Sequence, residues 1–232
     1  MQSPAPTALA GAAIAFDLDG TLVDTAPDLV RALNQTLALE GLAPAALPAM
    51  RSFIGHGARK MIERAAAAAS VAFAPDKLDA LTETFVDFYR ADIAAESRPF
   101  PGCVAALESL RAAGARLAVC TNKRTELSRR LLDALDLSRF FEAVVGADAT
   151  PHRKPHPDHV RDAIAQIGGA QQRAAMVGDS SADAQAGRAA GVRVILVDFG
   201  YHDADPATLG ADAVVSHFSD IPATAARLLQ AT

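Results

Sequence analysis

The sequence predicts an α/β fold: a parallel sheet covered by helices on both faces, with a small helical bundle inserted after the first strand. Three observations carry this expectation. From about residue 98 onward, short apolar runs alternate with helical patterns. One further apolar run, residues 12–17, stands alone near the start of the chain. Between the two, residues 24–95 show only helices joined by short loops, the pattern of a small bundle.

The first run, Ala12 to Phe16, ends in Asp17 and reads as a buried strand. Thr25-Ala26-Pro27-Asp28 then reads as a helix start, with Thr25 as cap, Pro27 in the first turn and Asp28 at the positive helix end. Leu29, Val30, Leu33, Leu37 and Leu39 follow at roughly helical spacing until Gly41 and Pro44. A second helix is expected over 46–53, interrupted by Gly55-His56-Gly57. A third, alanine-rich helix covers 58–70. Pro75 opens a fourth with an apolar stripe of Leu78, Leu81, Phe85, Phe88 and Tyr89.

Arg98-Pro99-Phe100-Pro101-Gly102 cannot continue a helix and marks a boundary. Beyond it the expected strands are 116–120, 143–145, 174–177, 193–197 and 213–215. The helices between and after them are expected over 103–113, 126–135, 157–167, 182–190 and 221–229. The expected domains are therefore a core made of 1–23 and 96–232, and a helical insertion of 24–95.

A chain of 232 residues with 21% charged residues and half its residues hydrophobic suits a globular protein with a sizeable core. The net charge of −5 argues against broad nucleic-acid binding, which needs a concentrated basic surface. No apolar stretch approaches a membrane span. Cys103 and Cys120 are too few for a disulfide framework and suit a reducing compartment. Residues 1–12 imitate a signal peptide in their small apolar character. They lack a basic n-region, and cleavage near Ala10 or Ala13 would cut beside or into the first strand, so the expected location is cytoplasmic.

Candidate chemistry gathers at strand ends. Asp17 and Asp19, followed by Gly20, sit where an open parallel sheet places its ligand. Two acids there either recruit a hard cation or divide into a nucleophile and a proton carrier; the plain alternative is a loop of solvated acids. Thr121-Asn122-Lys123 ends a second strand, where a hydroxyl and free backbone N–H groups suit a phosphoryl oxygen; Thr and Asn are also common helix caps. Lys154 stands before Pro155-His156-Pro157, pinned in a turn. Gly178-Asp179 ends a third strand, with Asp183 four residues on. Asp179 is placed to complete a magnesium site with Asp17. Asp183 either caps a helix or orients Lys154 or a metal-bound water. His152, His156 and His159 do not fall on one helical face, which counts against a zinc site. Cys120 has no evident base beside it and reads as a core residue.

Taken in order, Asp17-Leu18-Asp19-Gly20-Thr21, Thr121, Lys154-Pro155 and Gly178-Asp179-x-x-x-Asp183 resemble the four motifs of the haloacid dehalogenase superfamily, over essentially residues 12–229. The resemblance implies a Rossmann-like core with a helical cap. It makes Asp17 the nucleophile that forms an aspartyl-phosphate, and Asp19 the acid and then the base. Mg²⁺ would be held by Asp17, the Asp19 backbone carbonyl and Asp179, while Thr121 and Lys154 bind phosphoryl oxygens. Members that expel halide lack the second aspartate, so Asp19 favours phosphoryl transfer.

The 24–95 insertion looks like the superfamily's small cap, hinged near Asp24-Thr25 and at 99–102. Ile54-Gly55-His56-Gly57, with Asp24-Thr25-Ala26-Pro27-Asp28-Leu29, resembles the bacterial phosphoglycolate phosphatases. That resemblance implies a small phosphorylated metabolite as partner, its carboxylate caught by Arg51, His56 or Arg59, with Gly57 permitting close approach and Asn122 beside the phosphate. The alternatives are a sugar phosphate, pyrophosphate, or a sugar-phosphate mutase. A monomer or homodimer is expected.

Overall fold

The computed structural model describes residues 8–230. The signal-peptide question falls mostly on residues 1–7, which lie outside the described residues. Strand β1 (Ala13–Phe16) leads through a tight loop to the two-residue β2 (Val23–Asp24). Four helices follow: α1 (Ala26–Leu39), α2 (Leu47–Met50), α3 (Ala58–Ala68) and α4 (Pro75–Ala91). Helix α2 runs on as a 3₁₀ turn over Arg51–His56 and stops at Gly57, whose φ of 92° suits a glycine.

Strand β3 (Arg98–Pro99) pairs antiparallel with β2, so both ends of the helical segment leave through one short ribbon. The chain then alternates: α5 (Cys103–Ala112), β4 (Arg116–Cys120), α6 (Thr125–Ala134), β5 (Ala143–Val145), α7 (Pro157–Gln166) and β6 (Ala174–Gly178). It finishes with α8 (Ser181–Ala190), β7 (Arg193–Val197), β8 (Ala213–Val215) and α9 (Ile221–Leu228).

The six long-range strands form one parallel sheet in the order β5-β4-β1-β6-β7-β8. Every residue of β1 is fully buried, as a central strand covered on both faces must be. Side chains alternate between the faces. Ile14 and Phe16 join Leu117, Val119 and Val177 against α5, α6 and α9. Ala13 and Ala15 join Ala118, Cys120 and Met176 against α7 and α8. The small residues on the second face let those two helices sit close to the sheet.

The strand order reverses between β4 and β6, on either side of β1. Phe16 stands opposite both Val119 and Val177, so the carboxyl ends of β1, β4 and β6 lie in register. Loops leaving these strands converge on a single spot, the place where doubly wound sheets bind ligands. The helical segment has a core of its own, in which Leu33 of α1, Ile62 of α3 and Phe85 of α4 are buried together.

The element ends agree with the sequence pattern to within a few residues, the usual scatter of frayed helix ends. One local expectation fails. Thr25 stands at the start of α1 but makes no capping bond. Its backbone is helical (φ -96°, ψ -5°) where a capping residue is extended, and its hydroxyl donates instead to Asp19 Oδ1 at 2.7 Å.

Candidate active site

Asp17 leaves β1 with its own N–H donating to Val177 O at 2.9 Å, which extends the sheet by one bond and fixes the side chain at the strand end. Asp179 leaves β6 beside it. Its Oδ1 accepts from Thr21 Oγ1 at 3.0 Å and its Oδ2 from the Tyr201 N–H at 2.6 Å. Gly20 passes directly over this carboxylate with φ 86°; a Cβ there would lie 2.4 Å from Asp179 Oδ2, so only glycine permits the approach.

Lys154 is buried at the centre of the cluster. Its Nζ donates to Asp183 Oδ1 and to Cys120 O, both at 2.7 Å, and stands 2.8 Å from Asp17 Oδ1. The last contact is off the hydrogen-bond direction and acts chiefly as charge against charge, leaving Asp17 Oδ1 without a hydrogen-bond donor. Burial alone pulls the ammonium down, but the charges of Asp17 and Asp183 outweigh it and hold Lys154 well above the ordinary lysine range.

Asp183 bonds with each of its two oxygens to a different neighbour. Its Oδ2 accepts from Ser180 Oγ at 2.6 Å and from the N–H groups of Ser180 and Asp179 at 3.1 and 3.2 Å, forming a capping box at the start of α8. Its Oδ1 holds Lys154. Gly178 makes room for it: a Cβ there would fall 2.3 Å from Asp183 Cγ.

Asp17, Asp179 and Asp183 each offer an oxygen within 4.8 Å of the others. Burial, reduced by the nearby Lys154 charge, raises Asp17 to about 6. Burial and the charges of Asp183 and Asp17 raise Asp179 well above the carboxylate range. With Asp183 committed to Lys154 and the helix cap, Asp17 and Asp179 are the two buried acids that lack a full counter-charge. An all-oxygen donor set of this kind suits a hard divalent cation that keeps several waters, so these residues fit magnesium.

Asp19 accepts three hydrogen bonds from two groups: one from Thr25 Oγ1 and, at 2.9 Å to each oxygen, two from Lys123 Nζ. Lys123 was not among the site residues expected from sequence, although it lies in the Thr121-Asn122-Lys123 run. Thr121 is buried at the end of β4 and accepts from the Lys123 N–H at 3.2 Å; Arg124, not Thr121, occupies the cap position of α6. Asn122 Nδ2 donates to Lys154 O at 3.1 Å and to Gly55 O at 3.4 Å, joining the core to the helical segment.

The site opens into a cavity of about 580 Å³. The sheet side contributes Asp17, Asp19, Thr121, Asn122 and Lys123; the helical segment contributes Gly55, His56, Gly57, Arg59 and Tyr89. Of the expected cap residues, His56 stands 3.8 Å from Asp203, and Arg59 pairs with Asp79 and, at 3.6 Å, Glu63. Arg51 does not line the cavity. It turns to Asp24 at 3.5 Å and lies over the Tyr201 ring, because the 3₁₀ turn carries it toward the hinge ribbon.

Tyr201 was not foreseen either; its hydroxyl donates to Asp24 Oδ1 at 2.6 Å and accepts from the Ala26 N–H. No sequence signal ties it to Asp179, 22 residues away.

The three histidines separate. His159 is buried, its Nδ1 accepting from the Lys154 N–H at 3.1 Å and its Nε2 against Val145 O at 3.2 Å; burial and the Lys154 charge lower it to about 4. His152 and His156 do come together, their rings stacked at 4.0 Å, because a loop rather than a helix face joins them. With Asp158 they offer donors within 4.8 Å of each other, outside the cavity lining. Burial pushes both cysteine thiols up to about 12, which suits core residues and not nucleophiles.

Residues 14–197 match the family of haloacid dehalogenase-like hydrolases. A phosphoglycolate phosphatase of Caulobacter vibrioides is 53% identical over 221 residues, covering 95% of this chain and 93% of that one. One from Mesorhizobium japonicum is 44% identical over 219 residues, covering 94% and 96%. In three dimensions, a crystal structure described as that of a predicted phosphoglycolate phosphatase from Haemophilus somnus 129pt superposes with a TM-score of 0.86 at 29% identity, covering 93% of this chain and 98% of that chain. Sheet order, the acids at the strand ends and these matches agree: the chain belongs to the haloacid dehalogenase-like hydrolase family.

Proposed function

We propose that the protein is a Mg²⁺-dependent phosphatase that hydrolyses 2-phosphoglycolate through an aspartyl-phosphate on Asp17. The observation that carries this reading is the pairing at the sheet edge. Asp17 lies beside a buried ammonium, and a second acid, Asp19, faces the same cavity without sharing that ammonium. A carboxylate attacking a phosphate dianion needs nearby positive charge, and Lys154 supplies it.

In this reading the Asp17 carboxylate attacks phosphorus in line and the ester bond breaks. Asp19 gives a proton to the leaving glycolate oxygen, then takes one from the water that attacks the aspartyl-phosphate and releases inorganic phosphate. Thr121 and Lys154 bind phosphoryl oxygens, with Asp183 keeping Lys154 in place. A bound magnesium ion, held by Asp17, Asp179 and the Asp19 main-chain carbonyl, supplies further neutralisation of phosphoryl charge.

The helical segment, residues 24–95, acts as a cap on the core of 1–23 and 96–232, and excludes water during transfer. Among the described residues no helix is long and apolar enough to cross a membrane. The two free buried cysteines agree with a cytoplasmic location.

Asp17→Asn is expected to abolish phosphate release from both 2-phosphoglycolate and p-nitrophenyl phosphate; turnover at the wild-type rate would refute the nucleophile. Across a panel of phosphorylated metabolites, 2-phosphoglycolate is expected near the top. The cavity of about 580 Å³ favours one second reading, a larger ester such as a sugar phosphate. A sugar phosphate that outranks phosphoglycolate, while Asp17→Asn is dead, would replace the substrate and keep the chemistry.

A further inference from the structure

We propose that Lys123 is the residue that reads the substrate's carboxylate, and that it selects phosphate esters bearing a carboxylate on the carbon next to the ester oxygen. This rests on the phosphatase reading and deepens it, since the sequence pattern assigns that carboxylate to Arg51, His56 or Arg59.

The geometry begins at Asp19. Lys123 Nζ lies 2.9 Å from both Asp19 oxygens, and its side chain is 6% exposed. An ammonium has three N–H donors. Asp19 takes two, and among the described residues no other acceptor takes the third. The Tyr89 ring of α4 covers the nitrogen at 4.6 Å, a cation–π contact that also shields it from water. Lys123 lines the cavity beside Asp17, Asp19 and Thr121.

Reach then selects the substrate class. The oxygen that Asp19 protonates must sit within a hydrogen bond of it, about 2.7 Å. Adding the second hydrogen bond puts Lys123 Nζ no more than about 5.6 Å from that oxygen. A carboxyl carbon on the neighbouring carbon is two bonds of about 1.5 Å from the same oxygen, so its oxygens fall between the ester and the ammonium. A carboxylate further along a chain overshoots, and a neutral group there leaves the third donor unmet.

The competing cations are differently committed. Arg59 pairs with Asp79 and Glu63, Lys60 with Glu63, and Arg124 with Glu83. Arg153 lines the cavity too but is exposed, whereas Lys123 is buried against Asp19 and Tyr89. Charge balance points the same way. Asp17, Asp19, Asp179 and Asp183 face two ammonium groups, Lys123 and Lys154; with a divalent cation bound, the site is neutral before substrate arrives. A three-fold negative ester then benefits most from a cation placed at its far end.

The test compares kcat/KM for 2-phosphoglycolate and ethyl phosphate, which differ in carrying a carboxylate or a methyl at the same place. Any loss that passes through Asp19 is common to both esters and cancels in the ratio. Lys123→Met is expected to lower the ratio about 10–100-fold, mostly through KM for phosphoglycolate, while Lys123→Arg keeps part of it. Lys123→Gln gives the same reading should the methionine variant not fold, as judged by its thermal melt. A ratio that stays at the wild-type value in the folded variant overturns the proposal, as does collapse of the ratio in Arg153→Ala but not in Lys123→Met. A wild-type ratio near one, with ethyl phosphate turned over well, refutes the phosphoglycolate reading itself and is thereby distinguishable from a failure of Lys123.

Discussion

Replacing Asp183 by asparagine keeps the side chain's shape and removes its charge, and the structure allows no good placement of the resulting amide. If the amide oxygen takes the cap position, it accepts from the N–H groups of Ser180 and Asp179, but the amide nitrogen then faces the Lys154 ammonium, donor against donor. If it turns around, the amide nitrogen faces those same N–H groups and the Ser180 hydroxyl. The first arrangement is cheaper. It loses one buried, charge-assisted bond and weakens the cap bonds, a destabilisation of about 3 kcal/mol. For a chain of this size that is a fall in Tm of about 6–12 °C. Lys154 loses one of its two carboxylates and is no longer held from behind, so kcat is expected to fall about 100-fold, as displacement of a positioning group does. Ser180→Ala separates the two effects. It removes the hydroxyl that donates to Asp183 Oδ2 and accepts from the Asp183 N–H, costs about 1 kcal/mol, and leaves the Lys154 pair intact. Thermal melts followed by circular dichroism, with phosphate release on the same preparations, check this. An Asp183→Asn protein melting within about 2 °C of wild type, where the destabilisation above predicts several times that, would refute the argument that one carboxylate serves both helix and lysine.

Asp28 is fully buried in α1 and accepts from Ser97 N–H at 2.7 Å, Ser97 Oγ at 2.6 Å and Glu96 N–H at 3.1 Å, so Asp28→Ala is expected to cost about 3 kcal/mol in urea unfolding. Burial pushes this carboxyl up, yet those bonds win and hold it below 3.8; its stabilisation is full above 3.8 and fades as pH falls through the lower folded value, closing the gap to the variant in acid. His159 is held neutral down to about 4 while the unfolded chain takes a proton near 6.5, so stability falls by about 3 kcal/mol as pH drops through that window. Unfolding of wild type against His159→Gln at pH 7 and pH 4.5 reads this, and a constant difference would contradict it. Saturating Mg²⁺, at about 100 times its Kd, is expected to stabilise by about 2.7 kcal/mol and raise Tm by about 5–10 °C, reversed by EDTA and absent in Asp179→Ala.

What the sequence makes legible here, and what it hides, follows from range. Strands β4, β5, β7 and β8 occupy the expected residues because each is an apolar run between turn or polar residues. Asp17, Thr121, Lys154 and Asp179 were legible because each directly follows a strand or opens a turn in a local motif. The ribbon of β2 and β3 was not, since two residues are too few to show any period. Lys123 and Asp19 are 104 residues apart, and Tyr201 and Asp24 are 177 apart. Pairings at such separations exist only through the fold. Thr25 illustrates the converse: its local pattern reads as a cap, but its backbone is already helical and its hydroxyl donates to a buried acid six residues away.

These long-range bonds also decide what the helical segment is free to do. Tyr201 joins three parts with one side chain and its own N–H: it donates backbone hydrogen to Asp179, donates its hydroxyl to Asp24 of β2, and accepts from Ala26 at the start of α1. Asp28, in the same first turn of α1, ties the returning chain at Glu96 and Ser97. Entry and exit of the helical segment are thus fastened to each other and to the acid beside Asp17, within a span that has no slack. A swing of the helices therefore has to turn about these bonds instead of breaking them. The contacts that part are those at the far side: Asn122 to Gly55 at 3.4 Å, Arg90 to Glu126 at 3.4 Å, the two-bond pair of Arg124 with Glu83, and the Tyr89 ring over Lys123. Asn122 and Lys123 both belong to the loop after β4 that holds Thr121. In the proposed function, opening of the helical segment would uncover the loop proposed to bind phosphate and strip Lys123 of its aromatic cover, while Asp179 keeps both of its hydrogen-bond donors. A pivot at the Tyr201 bonds makes substrate access and metal geometry separable, so a Tyr201→Phe variant, which loses only the hydroxyl, is expected to loosen the hinge and raise KM with little change in the Mg²⁺-induced Tm shift. Loss of that shift in Tyr201→Phe would show that hinge and metal-side acid are instead a single unit.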